Sequence, residues 1–312
     1  MIMNDNIGVV LVTFNRLEKL KVALRCFSLQ IEKPLYMVVI DNASTDGTAE
    51  FLAAWQKEDE RFEKIVLSLP VNSGGSGGFY EGLSFAQQKS ADWIWVSDDD
   101  AFPQKECLFV AKNFIKNVKD IDDYSALCGS VYNHGQINTM HRRRTFNQGI
   151  RYRTIPVEVD EYSDNFLCNT FSYVGAILNK NKLKLAGLPQ KDYFIWSDDT
   201  EHSLRMSKVG KIICLPQIKV VHDEASDSTS FSWKTYYGIR NRLDLMRRHF
   251  PKLLFLYQCF KFFRLGLGLF WQNRAEGMLY FVAVKDALLK KMGLHKTYKP
   301  GWKPTVLNTA NK

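Results

Sequence analysis

The chain has 312 residues, of which 46% are hydrophobic and 24% charged, and its formal net charge is +9. This length and composition allow one large globular domain, or one and a half, and exclude a disordered or low-complexity protein. The six cysteines are scattered and form no CxxC pair, which disfavours a zinc module or a disulfide framework. Free thiols in a reducing compartment are expected, and the N-terminal residues do not have the pattern of a signal peptide.

The charge is unevenly distributed along the chain. Residues 233–312 hold 16 Lys and Arg against 3 Asp and Glu, whereas residues 1–232 hold 26 against 30. An acidic body with a strongly basic C-terminal region indicates that this region meets something anionic. The alternative is a basic helical end that only aids solubility.

The first 70 residues alternate between predicted strands and helices. Residues 7–14, 36–40 and 64–69 are apolar runs typical of buried strands, and a helix is expected after each of the first two. Asn15 is the expected cap of the first helix. This alternation predicts a parallel sheet with helices on both faces.

Polar clusters follow the predicted strands, at residues 13–15, 41–46 and 98–100. Ligands bind open parallel sheets at the carboxyl ends of the strands. These three clusters are therefore predicted to lie at one binding edge.

A glycine-rich stretch, residues 72–79, reads NSGGSGGF. Its glycines allow the backbone to approach a ligand closely, and the helix that it opens can meet a phosphate. It follows the third strand and does not spell GxGxxG, which disfavours a Rossmann dehydrogenase. A ligand loop is the preferred interpretation, and a flexible turn is the alternative.

Three consecutive aspartates, Asp98, Asp99 and Asp100, follow the apolar run at residues 93–97. Adjacent carboxylates at the end of a buried strand repel one another unless a cation lies among them. Mg²⁺ takes carboxylate oxygens and bridges to phosphates. A metal site that holds a phosphate-bearing ligand is predicted, and a solvated acidic turn is the alternative.

Residues 128–168 lack a regular pattern and contain the basic run His141–Arg144. We interpret this region as an inserted lobe of short strands. Its arginines either hold an anionic group of a second substrate or form a solvated run of charge.

A second acidic pair, Asp198 and Asp199, follows aromatic residues. Paired carboxylates are one arrangement of a general base with a raised pKa, and the aromatic residues offer a sugar-stacking surface. A capping box that uses Glu201 is the structural alternative. His222 ends the second of two predicted strands, residues 211–215 and 218–222, and is a candidate metal ligand or a packing histidine.

The C-terminal region is rich in Leu and Phe, but Lys261 and Arg264 interrupt its apolar run. No uninterrupted apolar stretch reaches the roughly 18–20 residues that a spanning helix needs. A basic amphipathic segment that lies on an anionic membrane surface is predicted. The alternative is a pair of helices packed on the body.

Taken in order, these motifs resemble glycosyltransferase family 2, a family of inverting enzymes with the GT-A fold. The resemblance covers roughly residues 7–250. The glycine-rich stretch and the YYxxRNR sequence at residues 236–242 look most like bacterial galactofuranosyltransferases and rhamnosyltransferases.

The resemblance implies an α/β fold with a mostly parallel sheet flanked by helices. Residues 1–230 would form the GT-A catalytic domain, with an inserted lobe at about 132–168, and residues 231–312 a helical C-terminal extension. It implies UDP-galactofuranose as donor, with dTDP-rhamnose or another UDP-hexose as alternatives. The acceptor would be a lipid-diphosphate-linked glycan, such as an O-antigen or capsule precursor, at the inner face of the cytoplasmic membrane.

The resemblance also assigns site residues. A divalent metal, Mn²⁺ or Mg²⁺, would be held by Asp98, Asp100 and His222. Asp199 would be the base, beside Asp198, where most relatives carry Glu. Trp196 and His202 would contact the acceptor. The residues assigned to the donor are Thr13, Phe14, Asn15, Arg16, Asp41, Asn42, Ser44, Asn72, Gly74, Gly75, Gly78, Asp98 and Asp99.

Two other classes of function are weighed against this one. A nucleic-acid-binding protein would explain the basic region, but the carboxylate clusters repel a polyanion, so no nucleic acid is expected. A nucleotidyltransferase could use the same glycines and aspartates. A homo-oligomer is left open, since the C-terminal helices could serve a subunit contact.

Overall fold

The computed structural model describes residues 5–148, 151–224 and 231–304. Its helices are α1 (Leu17–Ser28), α2 (Thr48–Trp55), α3 (Gly74–Ala86), α4 (Cys107–Asn117), α5 (Lys180–Ala186), α6 (Asp198–Val209), α7 (Trp233–His249), α8 (Lys252–Gln272) and α9 (Arg274–Leu288). Its strands are β1 (Ile7–Thr13), β2 (Tyr36–Asp41), β3 (Glu63–Ser68), β4 (Trp93–Asp98), β5 (Ala101–Pro103), β6 (Tyr124–Asn133), β7 (Gln136–Ile137), β8 (Arg142–Gln148), β9 (Arg151–Pro156), β10 (Phe166–Cys168), β11 (Thr170–Phe171), β12 (Ala176–Asn179) and β13 (Lys211–His222).

A ten-stranded sheet forms the centre of the protein, in the order β10-β13-β6-β12-β4-β1-β2-β3, with β5 on β13 and β7 on β6. Strands β3, β2, β1 and β4 are mutually parallel, and β12 runs antiparallel between β4 and β6. A separate three-stranded sheet, β11-β8-β9, lies in the region predicted as an inserted lobe. The predicted mixed α/β fold with a mostly parallel sheet is confirmed.

Both faces of the central sheet are covered, which explains the continuous apolar runs of its strands. Successive residues of β1 alternate between two cores: Val9 and Leu11 pack on one face, and Val10 and Val12 on the other. The residues of β4, the strand that leads to the three aspartates, alternate between the two cores in the same way. Trp95 packs on the same face as Val9 and Leu11. The apolar strands therefore fix the edge at which β1, β2 and β4 deliver their polar ends.

Two local predictions are wrong. Asn15 does not cap α1, because the backbone N–H of Leu17 donates to the Asp46 carboxylate at 3.0 Å, so the cap comes from another loop. The predicted strands at 211–215 and 218–222 are one strand, β13, with irregular pairing to β6 between Leu215 and Lys219. Neither contact is local in sequence, which is why local patterns did not reveal them.

The C-terminal helices α7, α8 and α9 form a third core of their own, around Tyr236, Tyr237 and Leu279. Helix α8 is one continuous helix of 21 residues, although Lys261 and Arg264 interrupt its apolar sequence. By length and composition alone it could cross a membrane, and 22% of its apolar window is buried. The sequence contained no uninterrupted apolar stretch of this length, and α8 reaches it only with these two charged residues included.

Candidate active site

Two cavities open side by side at the carboxyl edge of β1 and β4. The first, of about 300 Å³, and the second, of about 570 Å³, share Arg16, Gly75, Asp98 and Ile195 in their walls. They therefore form one continuous cleft, at the edge where the sequence placed its polar clusters.

Most residues that the resemblance assigned to the donor line the first cavity. Nine of the thirteen are found in its wall, namely Thr13, Phe14, Arg16, Asn42, Asn72, Gly74, Gly75, Asp98 and Asp99. Asn42 organises one side, since its amide donates to the Gly74 carbonyl at 2.9 Å and accepts from the backbone N–H of Ser73 at 2.9 Å. This contact joins the end of β2 to the start of α3.

The other four assigned donor residues do not line the cleft. Asp41 is buried and accepts from the backbone N–H of Ser44 at 2.9 Å. The Ser44 hydroxyl accepts from the backbone N–H of Asn15 at 3.0 Å. Gly78 lies in α3, where a Cβ would meet Val12 at 2.5 Å. Asp41 and Gly78 are buried behind the cavity, whereas Asn15 and Ser44 bond each other outside its wall.

The glycine-rich stretch is helical from Gly74 onward, so the predicted ligand loop is the first turn of α3. A Cβ on Gly74, whose φ is +73°, would lie 1.9 Å from the carbonyl oxygen of Phe194. A Cβ on Gly75 would meet nothing within 4 Å. Gly74 is therefore required by close packing, and Gly75 leaves the helix N-terminus open to the cleft.

The three aspartates at the end of β4 have a cation among them, and it is Arg16. Its Nη1 lies 3.1 Å from Asp99 Oδ1 and 2.6 Å from Asp100 Oδ2. Asp99 also accepts from the Thr13 hydroxyl at 2.8 Å. The alternative of a solvated acidic turn is wrong, because Asp99 and Asp100 are both buried.

The three carboxylates differ in proton affinity. Burial, followed by repulsion from Asp100 and Asp99, raises the pKa of Asp98 well above its usual value. Burial also opposes ionisation of Asp100, but His222 and Arg16 hold the pKa of that carboxyl below its usual value. Asp98 is the carboxylate whose negative charge is least compensated, and it faces both cavities.

The ligands predicted for a metal, Asp98, Asp100 and His222, are of types that a divalent cation accepts, but this structure does not bring the three close enough to hold one. His222 Nε2 lies 3.4 Å from Asp100 Oδ1, and His222 Nδ1 is buried without a hydrogen-bond partner among the described residues. Two carboxylates and an imidazole are ligands that Mn²⁺ accepts. Over residues 5–148, 151–224 and 231–304, no three His, Cys, Asp or Glu side chains are grouped closely enough to hold a metal ion.

The second acidic pair, Asp198 and Asp199, begins α6 and lines the second cavity. Burial, and then repulsion from Asp199, raises the pKa of Asp198 to about 7. Burial likewise raises the pKa of Asp199, an effect that the nearby Arg143 partly offsets. The pair can therefore accept a proton near neutral pH, as a general base requires. The capping box is not formed, since Glu201 pairs with Arg205 at 2.8 Å and His249 at 2.9 Å.

The segment before this pair, residues 193–197, has a strained backbone. Phe194, Trp196 and Ser197 have φ values of +68°, +66° and +69°, which residues other than glycine rarely adopt. Phe194 lines the first cavity, Ile195 lines both, and Trp196 and Ser197 line the second. This turn is therefore the wall common to both cavities.

Helix α7 holds the strained turn in place. The buried amide of Asn241 donates to the carbonyls of Tyr193, Ile195 and Trp196 at 2.9, 2.8 and 2.9 Å. Arg240, also buried, donates to the Tyr193 carbonyl at 3.1 Å. The role of these two residues was missed from the sequence, although they form the Arg-Asn pair of the YYxxRNR motif.

The two residues predicted to meet the acceptor differ in position. Trp196 is 48% exposed, lines the second cavity and packs against Gly238 of α7. His202 does not line the cleft. Its ring is fully buried and bonds Tyr173 at 2.8 Å and the Gly187 carbonyl at 3.0 Å. His202 is therefore a packing histidine, and we leave it out of the acceptor site.

The family model described as glycosyl transferase family 2 matches residues 8–179 of this chain. The chain is similar to the galactofuranosyltransferase GlfT1 of Mycobacterium tuberculosis, with 24% identity over 210 residues, 67% of this chain and 66% of that protein. The match thus spans just under two thirds of that relative. It is also similar to the dTDP-rhamnosyl transferase RfbF of Shigella flexneri, with 24% identity over 264 residues, 81% of this chain and 84% of that one.

Among solved structures, the chain resembles residues 1–349 of S. aureus TarS in complex with UDP-GlcNAc. The TM-score is 0.58 at 17% sequence identity, over 90% of this chain and 81% of that one. At this identity the likeness shows a shared fold.

Asn241→Ala should lower the free energy of unfolding by about 3 kcal/mol, because it removes the donor to the Ile195 and Trp196 carbonyls. Hydrogen exchange of residues 193–197 should become faster, since the strained turn loses its anchor. Urea denaturation and exchange mass spectrometry measure the two effects. The control Asn117→Ala removes an exposed amide on α4 and should change neither. Unchanged exchange at residues 193–197 would contradict the anchoring role.

Asp198→Asn should stabilise the protein at pH 8 by a few degrees in Tm. A carboxyl whose pKa is about 7 when folded, against 3.8 ordinarily, makes the native state bind more protons between pH 4 and 7. Stability of the wild type therefore falls as pH rises through this window, and the amide removes that loss. The difference in Tm should shrink toward pH 4, and Asp59→Asn, at an exposed site, should show no such trend. A constant difference from pH 4 to pH 8 would contradict the raised pKa.

Proposed function

Since this chain belongs to glycosyltransferase family 2, as its motifs predicted, we propose that it transfers a sugar from a nucleotide-sugar donor to a hydroxyl of a cell-surface glycan. The observation that carries the proposal is that the first cavity and the Asp198–Asp199 pair open into one cleft. One end of the cleft has the residues expected to hold a nucleotide, and the other has a proton acceptor.

The donor that we propose is UDP-galactofuranose. It is supported by the glycine-rich start of α3 and by the similarity to a galactofuranosyltransferase. dTDP-rhamnose is a second candidate, because the match to a rhamnosyl transferase covers more of this chain. In either case Asn42 and Asn72 face the nucleoside, and the open N-terminus of α3 at Gly75 faces the donor phosphates.

The reaction proposed is a single displacement with inversion. Asp199, in its coupled pair with Asp198, takes the proton from the acceptor hydroxyl as that oxygen attacks the anomeric carbon. The bond from that carbon to the diphosphate breaks, and the electron pair leaves with the nucleotide. Trp196 lies on the acceptor side of the cleft, where its exposed ring can stack on a sugar.

We propose that Asp98, Asp100 and His222 hold Mn²⁺ or Mg²⁺. Such a cation, when bound, stabilises the negative charge of the departing diphosphate. When no cation is bound, the guanidinium of Arg16 supplies the positive charge that neutralises Asp99 and Asp100.

The acceptor proposed is a lipid-diphosphate-linked glycan at the inner face of the cytoplasmic membrane. Helix α8 supports membrane contact, because apolar side chains such as Leu253, Phe260 and Trp271 are exposed along it. Lys261 and Arg264 interrupt the apolar sequence, and the opposite face packs on α9. A helix lying on an anionic surface is favoured over a spanning one.

The domain boundary at residue 230 and the homo-oligomeric state stay predictions. Trp233, Lys234, Gly238 and Arg242 of the C-terminal region line the cleft, so the two parts share one site. The absence of a nucleic-acid partner stays a prediction as well.

Calorimetric binding of UDP and of dTDP, each with and without Mn²⁺, tests the proposed function. We expect manganese-dependent binding with a preference for UDP, and a preference for dTDP would transfer the assignment to rhamnose.

Asp199→Asn should bind UDP as the wild type does but lose at least about 100-fold in transfer, because only the proton acceptor is removed. Asp100→Asn should lose the manganese dependence, while Asp59→Asn, at an exposed site, should change nothing. Binding of neither nucleotide would overturn the proposal.

Replacing Phe260 and Trp271 together by Ser should weaken binding to phosphatidylglycerol vesicles at least tenfold, because two exposed aromatic side chains no longer insert. Vesicle co-sedimentation measures the change. Leu185→Ser, at an equally exposed apolar position on α5, is the matched control and should leave vesicle binding intact. Equal loss in both variants would show that α8 is not the contact.

A further inference from the structure

A third cavity, which we call the arginine cavity, lies beside the Asp198–Asp199 pair. Its volume is about 590 Å³, and Arg143, Arg153 and Arg242 supply all of its charged wall residues. It shares Arg143, Ser197, Thr200 and Arg242 with the second cavity, so the two are continuous. None of the site residues assigned from the sequence belongs to it.

We propose that the arginine cavity binds the diphosphate group of a lipid-linked acceptor. The proposal rests on the proposed glycosyl transfer, because it places the acceptor's anionic group next to the base. The hydroxyl that reacts would lie in the second cavity, and the diphosphate would lie in the adjoining one.

The charge of the cavity requires an anion. Three guanidinium groups face one space, and no carboxylate among the described residues forms an ion pair with any of them. Asp199 lies near Arg143, but three like charges face the cavity, and a diphosphate would neutralise the excess. Arginine suits this role, because its planar fork bonds phosphate oxygens in pairs.

Arg143 is already oriented toward this space. Its Nη2 donates to the Thr200 hydroxyl at 2.9 Å, which fixes one end of the guanidinium. Its Nε is buried and has no hydrogen-bond partner among the described residues. A buried donor without a partner is unfavourable, so an acceptor oxygen that reaches it would be stabilising. Arg153 and Arg242 are exposed and free to close on a ligand.

The rest of the wall favours a lipid over a free phosphate. Met140, Ile155 and Leu245 line the same cavity, and the first two are about half exposed. An apolar surface beside three arginines matches a prenyl chain attached to a diphosphate. Arg242 and Leu245 lie on α7, and α7 leads through Phe250 and Pro251 into the exposed apolar helix α8.

The test is calorimetric titration of the full chain with farnesyl diphosphate, in metal-free buffer, with and without excess UDP. We expect binding that UDP does not displace and that weakens with added salt. Arg153→Gln and Arg242→Gln should each weaken it about tenfold, the factor for one charge-assisted hydrogen bond. Arg61→Gln removes an exposed arginine far along the chain and should have no effect.

Arg153 gives the cleanest result, because it lines the arginine cavity and neither of the other two. Arg153→Lys, which keeps the charge but not the fork, should recover part of the affinity.

Inorganic diphosphate and farnesol complete the series, and each should bind more weakly than farnesyl diphosphate. Stronger binding of inorganic diphosphate would overturn the lipid assignment, and stronger binding of farnesol the diphosphate assignment. Displacement by UDP, or equal affinity in all the arginine variants, would overturn the site.

This outcome is independent of the nucleotide experiment. If UDP and dTDP fail to bind, the proposed function falls while an arginine-dependent prenyl diphosphate site can still be measured. If UDP binds and the arginine variants have no effect, the donor site stands and the arginine cavity does not.

Discussion

The cleft depends on one turn, residues 193–197, whose backbone is strained and whose two sides face different cavities. A turn with three left-handed residues persists only where its surroundings hold it. Here Gly74 packs against it from α3, and Asn241 bonds three of its carbonyls from α7. The first cavity, the second cavity and the C-terminal helices therefore meet at this turn. Moving this turn would displace the wall of the first cavity and the start of α6 together.

The second constraint is electrostatic. Five aspartates line or adjoin the cleft, and the structure compensates them unequally. Asp99 and Asp100 have Arg16, whereas Asp98 and Asp198 have no ion-pair partner among the described residues. Uncompensated buried charge destabilises the fold, and it remains where the chemistry needs proton affinity or a cation. Two other buried carboxylates show the contrast: Glu201 pairs with Arg205 and His249, and Asp244 pairs with Arg247 and Arg248.

Much of the site could be predicted from the sequence, because β1, β2 and β4 are apolar runs with polar ends. Parallel pairing brings such ends to one edge, so Thr13, Asn42 and Asp98 had to lie close together. Side-chain direction could not be predicted in the same way. Asp41 and Asn42 are neighbours, yet one is bonded within its loop and the other lines the cavity. His202 lies one helical turn after Asp198, and its buried ring bonds Tyr173 and the Gly187 carbonyl without reaching the cleft.

Long-range contacts account for the remaining differences. Nothing local distinguishes Arg142, which is fully buried and bonds the carbonyls of Gly129 and Val174, from Arg143, which faces the cleft. These two adjacent arginines therefore have different roles. Neither is a solvated surface charge, which was the alternative interpretation of this basic run. Both residues lie on β8, and because successive side chains of a strand point to opposite faces, the two side chains point in opposite directions.

Arg143 also connects the proposed acceptor site to the base. Its positive charge holds the pKa of Asp199 lower than burial alone would. An anion bound at Arg143 would cancel part of that effect and increase the proton affinity of Asp199. Binding of the acceptor's diphosphate would then strengthen the base at the moment when a hydroxyl is present to be deprotonated. In the proposed mechanism, an empty arginine cavity therefore leaves Asp199 with the lower proton affinity of the two states.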